Sequence, residues 1–396
     1  MTAPSYPAPS LPEPSAPQLH STRRALARHL VPSMLLVGIG LGCAGPSRGS
    51  SKPVPNIESA DSAAVSARWK LPAAAEDPLH RSFSVSLTQE EKGSLISEVI
   101  RDGAEFTEAL PSWNVPSGEP FIVDIRAQTA EGSGTWSPWL RIGDWAVPTR
   151  EKDTPTQFSR GKVAVDIFKL SAPYVAAQLR FERPGGTLRP SEVKASMVLS
   201  DMRSLDETLS LAAAEEWPVT PLLRVGARSQ RTVGDDIGSR ICSPTSVSMV
   251  AAFHGANLPT RKMAEALLDP HYDIYGNWNR AVQGPATFGV PGRLVRVSSW
   301  ATVADYLDRG LPIVASIRAE AGELPGAPYE QTAGHLAVVT GLSPGGAVHV
   351  NDPAASLPLD VPRVYQRPDF ERVWFANGGV GYVFGPQIVD PMESVQ

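Results

Sequence analysis

The sequence has only two cysteines, Cys43 and Cys242. That count excludes a disulfide-stapled scaffold and a cysteine-rich zinc site. There is no basic block either: 36 Lys and Arg stand against 41 Asp and Glu, for a net charge of −5. Nucleic-acid partners, which need a concentrated positive surface, are not expected. Long apolar runs are also missing. The best candidate, Leu30 to Gly42, spans about 13 residues, where a bilayer-spanning helix needs roughly 20. The seven histidines form no HExxH or other metal-spaced cluster, and His271-Tyr272-Asp273 is a feeble metal signal. No phosphate-binding glycine motif follows a strand; the Gly-Gly pairs at 185–186, 345–346 and 378–379 read as turns. Neither a cofactor nor a metal is therefore expected.

What remains is ample for folding. With 396 residues, 42% hydrophobic and 19% charged, the chain can bury a sizeable core, in about two domains. Residues 1–43 read as an export signal. A Pro-, Ala- and Ser-rich start precedes the positive stretch Arg23-Arg24-Ala25-Leu26-Ala27-Arg28, then the short apolar run, then small residues. The paired arginines resemble a twin-arginine signal, and Leu41-Gly42-Cys43 resembles a lipoprotein processing box. Cys43 would then be lipidated and attach the protein to a membrane; an ordinary signal cut nearby is the other reading. Either way the expected location is exported, in the cell envelope or outside it. Residues 44–79 read as a disordered Ser/Pro/Ala tether. In the processed chain Cys242 is a lone thiol, which calls for a reason other than a disulfide.

Residues 80–202 read as an all-β sandwich serving as an accessory domain. Phe121, Val123 and Ile125 alternate onto one face; so do Val163, Val165 and Ile167 within Lys162 to Phe168, and Val175, Ala177, Leu179 and Phe181. Glu131-Gly132-Ser133-Gly134 and Pro184-Gly185-Gly186 supply turns. Four tryptophans crowd the region: Trp113, Trp136, Trp139 and Trp145. They read either as packing or as a platform for a glycan or peptide, with packing favoured. Residues 203–223 read as an interdomain linker holding a short helix from Leu205 to Glu216.

Residues 224–386 read as α+β, with 387–396 as a tail. Helices are expected at Pro244–Phe253, Thr260–Leu268 and Ser299–Arg309, followed by strands at Pro312–Ile317, His335–Thr340, Ala347–Val350 and Gly381–Phe384. Cys242 lies just ahead of the first helix, where free amides and the positive helix end favour a thiolate. His335 opens a core strand and is placed to take the thiol proton. Asp352, where a strand stops, is placed to accept the second imidazole N–H. His349 is the competing histidine, but its neighbours Val348 and Val350 turn it away from the core. Gln230 is a candidate oxyanion donor. It lies twelve residues before Cys242 and reaches the site only if the loop 233–238 folds back.

These pieces carry a resemblance. Cys242-Ser243-Pro244-Thr245-Ser246, Gly334-His335-Leu336-Ala337-Val338-Val339-Thr340-Gly341 and Val350-Asn351-Asp352-Pro353 resemble the C39-like group of papain-like cysteine peptidases, over about 160 residues. Asp273-Ile274-Tyr275-Gly276-Asn277-Trp278 and Gly310-Leu311-Pro312-Ile313-Val314-Ala315 are similar to secreted members. The resemblance implies a papain-like fold, a Cys242–His335–Asp352 triad, the Gln230 oxyanion role, and a peptide or cell-wall peptide as substrate. Two other functions stay open: a surface glycan- or peptide-binding protein with an inactive peptidase fold, and a peptidoglycan amidase or transpeptidase.

Overall fold

The computed structural model describes residues 70–90, 92–130, 134–147 and 154–388. Residues 1–43 of the expected export signal, with Cys43, and residues 44–69 of the expected tether lie outside the described residues, as do 389–396 of the expected tail.

The N-terminal region is β-rich. Its strands are β1 (His80–Val85), β2 (Leu87–Gln89), β3 (Leu95–Ser97), β4 (Phe106–Asn114), β5 (Phe121–Thr129), β6 (Leu140–Trp145), β7 (Gln157–Phe158), β8 (Gly161–Ala164), β9 (Ile167–Glu182) and β10 (Lys194–Ser200). The long strand β9 joins two groups. Its residues 167–170 pair with β8 and its residues 168–174 with β4, whereas residues 174–182 pair with β5. Pro173 sits at the change of partner; it has no N–H to give a ladder. Phe121, Val123, Ile125 and Ala127 of β5 alternate into a core shared with Trp113, Phe168, Leu179 and Phe181. One expectation fails here. Val165 does not continue the alternation of Val163 and Ile167. It takes a positive φ of 63° in the tight turn between β8 and β9, so the run is a hairpin and not one strand.

The C-terminal region follows helix α1 (Leu205–Ala212), shorter than the Leu205–Glu216 expected. Its helices are α2 (Cys242–Phe253), α3 (Thr260–Leu267), α4 (Trp278–Ala286), α5 (Trp300–Asp308) and α6 (Arg367–Val373). Its strands are β11 (Gly292–Arg296), β12 (Ile313–Ala319), β13 (Thr332–Ser343), β14 (Ala347–Asn351), β15 (Pro362–Gln366) and β16 (Val380–Phe384). The strands form one antiparallel sheet in the order β11-β16-β12-β13-β14-β15. Both faces are buried. Val314, Leu336 and Val338 pack with α2, α3 and α4, while Ile313, Ala315, Ala337 and Val339 pack with α5 and α6. Adjacent residues of one strand point to opposite faces, which is why β13 reads as a continuous apolar run.

The segments expected to connect the regions are themselves docked. In the stretch expected as tether, Asp77 accepts from Ser298 N at 2.8 Å, Ser298 Oγ at 2.7 Å and Thr302 Oγ1 at 2.9 Å, and Ala75 N donates to Tyr306 Oη at 2.9 Å. In the stretch expected as linker, Thr220 N and Leu223 N donate to Leu342 O and Thr340 O, laying the chain along β13. Trp217 packs on Trp300, with ring centroids 5.0 Å apart. At the tail, Gln387 N and Ile388 N donate to His254 O and Gly289 O.

The two regions share a seam of buried polar pairs. Asn114 brackets Gly292, giving Nδ2 to its carbonyl at 2.8 Å and taking its N–H at 2.9 Å. Gln283 does the same to Val115, with both bonds at 2.8 Å. Arg296 pairs with Glu108 at 2.5 Å. Leu110, Ile167 and Val198 of the β-rich region enter the apolar cluster that holds Val247, Met249 and Tyr382. Buried polar groups need partners, and here each region supplies them to the other.

The tryptophans are spent on packing. Trp113 is in the core, and the ring of Trp145 carries Arg280 of α4 at 4.7 Å. Trp136 and Trp139 are half-buried and hold the Arg126 guanidinium 4.4 Å from each ring centre. Arg180 also lies over Trp139, at 4.8 Å. Such cation–π stacks take the ring faces that a sugar would otherwise need.

Candidate active site

Cys242 is the first residue of α2, with Ile241 as its N-cap. The helix thus starts two residues earlier than Pro244, and Thr245 N closes the first turn on Ile241 O at 3.0 Å. The N–H that Pro244 lacks would have no helical partner at this position. The first-turn amides and the positive helix end therefore surround the sulfur. Cys242 stays partly exposed, as an attacking group must.

Strand β13 supplies His335, which is buried. Ser246, one turn along α2 from Cys242, donates to Leu336 O at 2.9 Å and so fixes helix against strand. His335 Nε2 lies 2.7 Å from Asp352 Oδ1. The imidazole also neighbours the Cys242 sulfur, and each group shifts the other's titration. With Nε2 committed to Asp352, the ring nitrogen left for the sulfur is Nδ1.

Asp352 follows the end of β14 and is fully buried. Its Oδ1 also accepts from Ala354 N at 3.0 Å, and its Oδ2 accepts from Tyr365 Oη at 3.1 Å and Tyr329 Oη at 3.3 Å. The competing histidine, His349, is half-buried and bonds Ser343 Oγ at 2.8 Å instead.

The electrostatics of the three groups agree. Burial alone raises the Cys242 thiol, but the bond and charge of His335, with the amides of Leu336 and Ser243, outweigh it and lower the thiol below its ordinary value. Burial alone lowers His335, but the Asp352 carboxylate, and then Cys242, outweigh it and raise the imidazole to about 10. Burial raises Asp352, and His335 with the Ala354 amide and the Tyr365 hydroxyl bring it below the usual carboxylate range. Each charge exists because its neighbour does.

Gln230 is buried at the start of a short turn. Its backbone N donates to Pro353 O at 2.9 Å, beside Asp352, and its Nε2 donates to Gly238 O at 2.9 Å, four residues before Cys242. The loop does fold back: Gly238 N bonds Gly234 O at 2.8 Å. Gln230 is thus tied to the segments that carry both ends of the site. Sequence reasoning missed Tyr329, Tyr365 and the Ser246 anchor. Only Tyr365 had a signal, the alternation of exposed Val364 with buried Tyr365 in β15.

With this geometry in hand, the family matches become informative. Residues 222–382 match the Peptidase_C39 like family, and residues 62–200 match the Peptidase C39 N-terminal domain. The chain carries a C39-like domain, a family of cysteine peptidases, preceded by a C39 N-terminal domain. Among solved structures, the chain is similar to a double glycine motif protease from an AMS/PCAT transporter, crystallised in complex with the leader peptide. The identity is 15%, over 37% of this chain and 84% of that one, and the TM-score of 0.25 is too low to carry an argument. No curated protein matches.

Proposed function

We propose that this protein is an exported cysteine peptidase of papain-like design that hydrolyses peptide amide bonds. The observation that carries the reading is His335 Nε2 2.7 Å from Asp352 Oδ1, with the same imidazole lowering the thiol of Cys242 at a helix N-terminus. The Cys242 thiolate attacks the scissile carbonyl carbon and forms a tetrahedral oxyanion. The Cys242 backbone N–H and the Gln230 amide receive that oxyanion. His335, as imidazolium, gives its Nδ1 proton to the leaving amine, and a thioester remains. His335 then takes a proton from water, and the hydroxide equivalent releases the acid and restores the thiolate. Asp352 holds the imidazole in one tautomer and balances its charge throughout. The leader sequence supports placement outside the cytoplasm, with Cys43 as the attachment point if it is lipidated.

The test is digestion of a library of unstructured peptides, alongside peptidoglycan stem peptides, read by mass spectrometry with and without an added amine acceptor. New free carboxyl ends from the wild type, and none from His335→Ala, are expected. Acceptor-linked products would replace hydrolysis by transpeptidation. Intact substrates under all conditions would remove the enzyme reading and leave binding as the function.

A further inference from the structure

We propose that Tyr329 and Tyr365 are positioning residues of the active site: their hydroxyls clamp the Asp352 oxygen that His335 leaves free and hold that carboxylate as the anion facing the imidazole. The proposal deepens the peptidase reading and rests on it. A carboxylate without solvent access keeps its charge only if its lone pairs are met by donors. Asp352 Oδ1 has His335 Nε2 at 2.7 Å and Ala354 N at 3.0 Å; Oδ2 has only the two tyrosine hydroxyls, at 3.1 and 3.3 Å. A buried tyrosine ordinarily spends its hydroxyl on whatever acceptor lies nearby. Here two tyrosines from separate elements converge on one oxygen.

The two differ in how they are held. Tyr365 comes from β15, is buried, and stacks on Phe370 at 5.7 Å and 15°. Tyr329 comes from the segment between β12 and β13, is only half-buried, and meets the His335 ring edge-on at 4.9 Å and 63°. Arg363, on the same strand as Tyr365, secures that segment by donating to Gly326 O at 2.6 Å. The titratable and charged groups around the carboxylate are therefore His335 from β13, Cys242 from α2, Tyr365 and Arg363 from β15, and Tyr329. Both phenols are pushed up, by burial first and then by the Asp352 charge, so they remain donors throughout the working pH range. Losing a hydroxyl leaves Oδ2 short of a donor. Asp352 then becomes harder to ionise, the imidazolium loses support, and the thiol holds its proton to higher pH.

The experiment measures alkylation of Cys242 against pH, and kcat and KM on a cleaved peptide, in the full-length wild type, Tyr329→Phe, Tyr365→Phe and the double variant. Each Phe keeps the ring and removes only the donor. The expected result is a thiolate midpoint raised by about half a pH unit or more per hydroxyl, with kcat down roughly 3- to 10-fold and KM unchanged. A folded double variant whose midpoint and kcat match the wild type would overturn the clamp while leaving the peptidase reading intact. An ordinary thiol midpoint in the wild type itself would overturn both. Should Tyr365→Phe fail to fold, Tyr329→Phe, with its half-exposed ring, decides the matter alone.

Discussion

Asp352 and Asp166 are the same side chain in the same state of burial, and they behave oppositely. Asp352 lies at 0% exposure beside His335 and is held below the usual carboxylate range. Asp166 lies at 6% exposure on the hairpin between β8 and β9, where the β-rich region meets α4. Its Oδ2 accepts from Trp278 N at 2.7 Å, and no ion pair to it is formed among the described residues; burial first, with Asp269 adding to it, outweighs the Trp278 and Asp166 amides and the Lys169 charge and pushes its pKa up to about 7. The difference teaches that burial does not make a carboxylate catalytic. A buried carboxyl with a cation and enough donors is an anion that can organise a proton relay, and one held by backbone amides without a paired cation is close to a neutral acid.

The sharpest way to break this comparison is to make Asp352 neutral. Asp352→Asn keeps the size but cannot balance an imidazolium, and its amide offers His335 a donor in place of one acceptor oxygen. A loss in kcat of about 10³-fold or more is expected in peptide hydrolysis. Next in size is Gln230→Ala, which removes a donor and no charge. It should cost kcat roughly 10²-fold and leave the pH dependence of Cys242 alkylation where it was, because the role proposed for Gln230 is at the oxyanion and not in the ion pair.

The mildest test concerns Asp166. The unfolded chain ionises this group near pH 4, while the folded chain keeps the proton to about pH 7. Between those values the native state binds more protons than the unfolded one, so this group's contribution to stability falls as pH rises from about 4 to 7 and is level above. Asp166→Asn retains an oxygen for Trp278 N and carries no charge at any pH. It should be more stable than the wild type at pH 8, by up to about 4 kcal/mol, with the gap closing near pH 4. Denaturant titrations at the two pH values measure it, with kcat unchanged. The active-site pair runs differently. Asp352 adds stability above its unfolded pKa that is lost in acid, and His335 adds stability at low and neutral pH that is lost as pH rises through about 10.

The same contrast separates what was legible in the sequence from what was not. Cys242, His335 and Asp352 are read from a helix start, a strand start and a strand end; β13 begins earlier than expected, at Thr332, but the fold still joins those positions. Among the elements that escaped, two face the other region. Helix α4, WNRAVQGPA, carries Gly284 and Pro285 and is not among the expected helices. It is helical because Asn279 and Gln283 are buried against Ile142 and Val115 of the β-rich region. Strand β11, GRLVR, is not among the expected strands and carries two arginines. Both are buried because Phe83, Pro72 and Glu108 receive them. A polar residue whose partner lies some two hundred positions away leaves no local period to read. For the same reason the tether and linker readings missed Asp77, whose partners are Ser298 and, on α5, Thr302, and Thr220, whose partner is on β13.

The most direct measurement is the rate of Cys242 alkylation against pH in the full-length protein and in His335→Ala. The account predicts fast alkylation with a midpoint well below the free-thiol value of about 8.5, and a midpoint at or above that value once the imidazole is gone. A wild-type midpoint near 8.5 that the substitution does not move would contradict the Cys242–His335 ion pair on which the proposed activity depends.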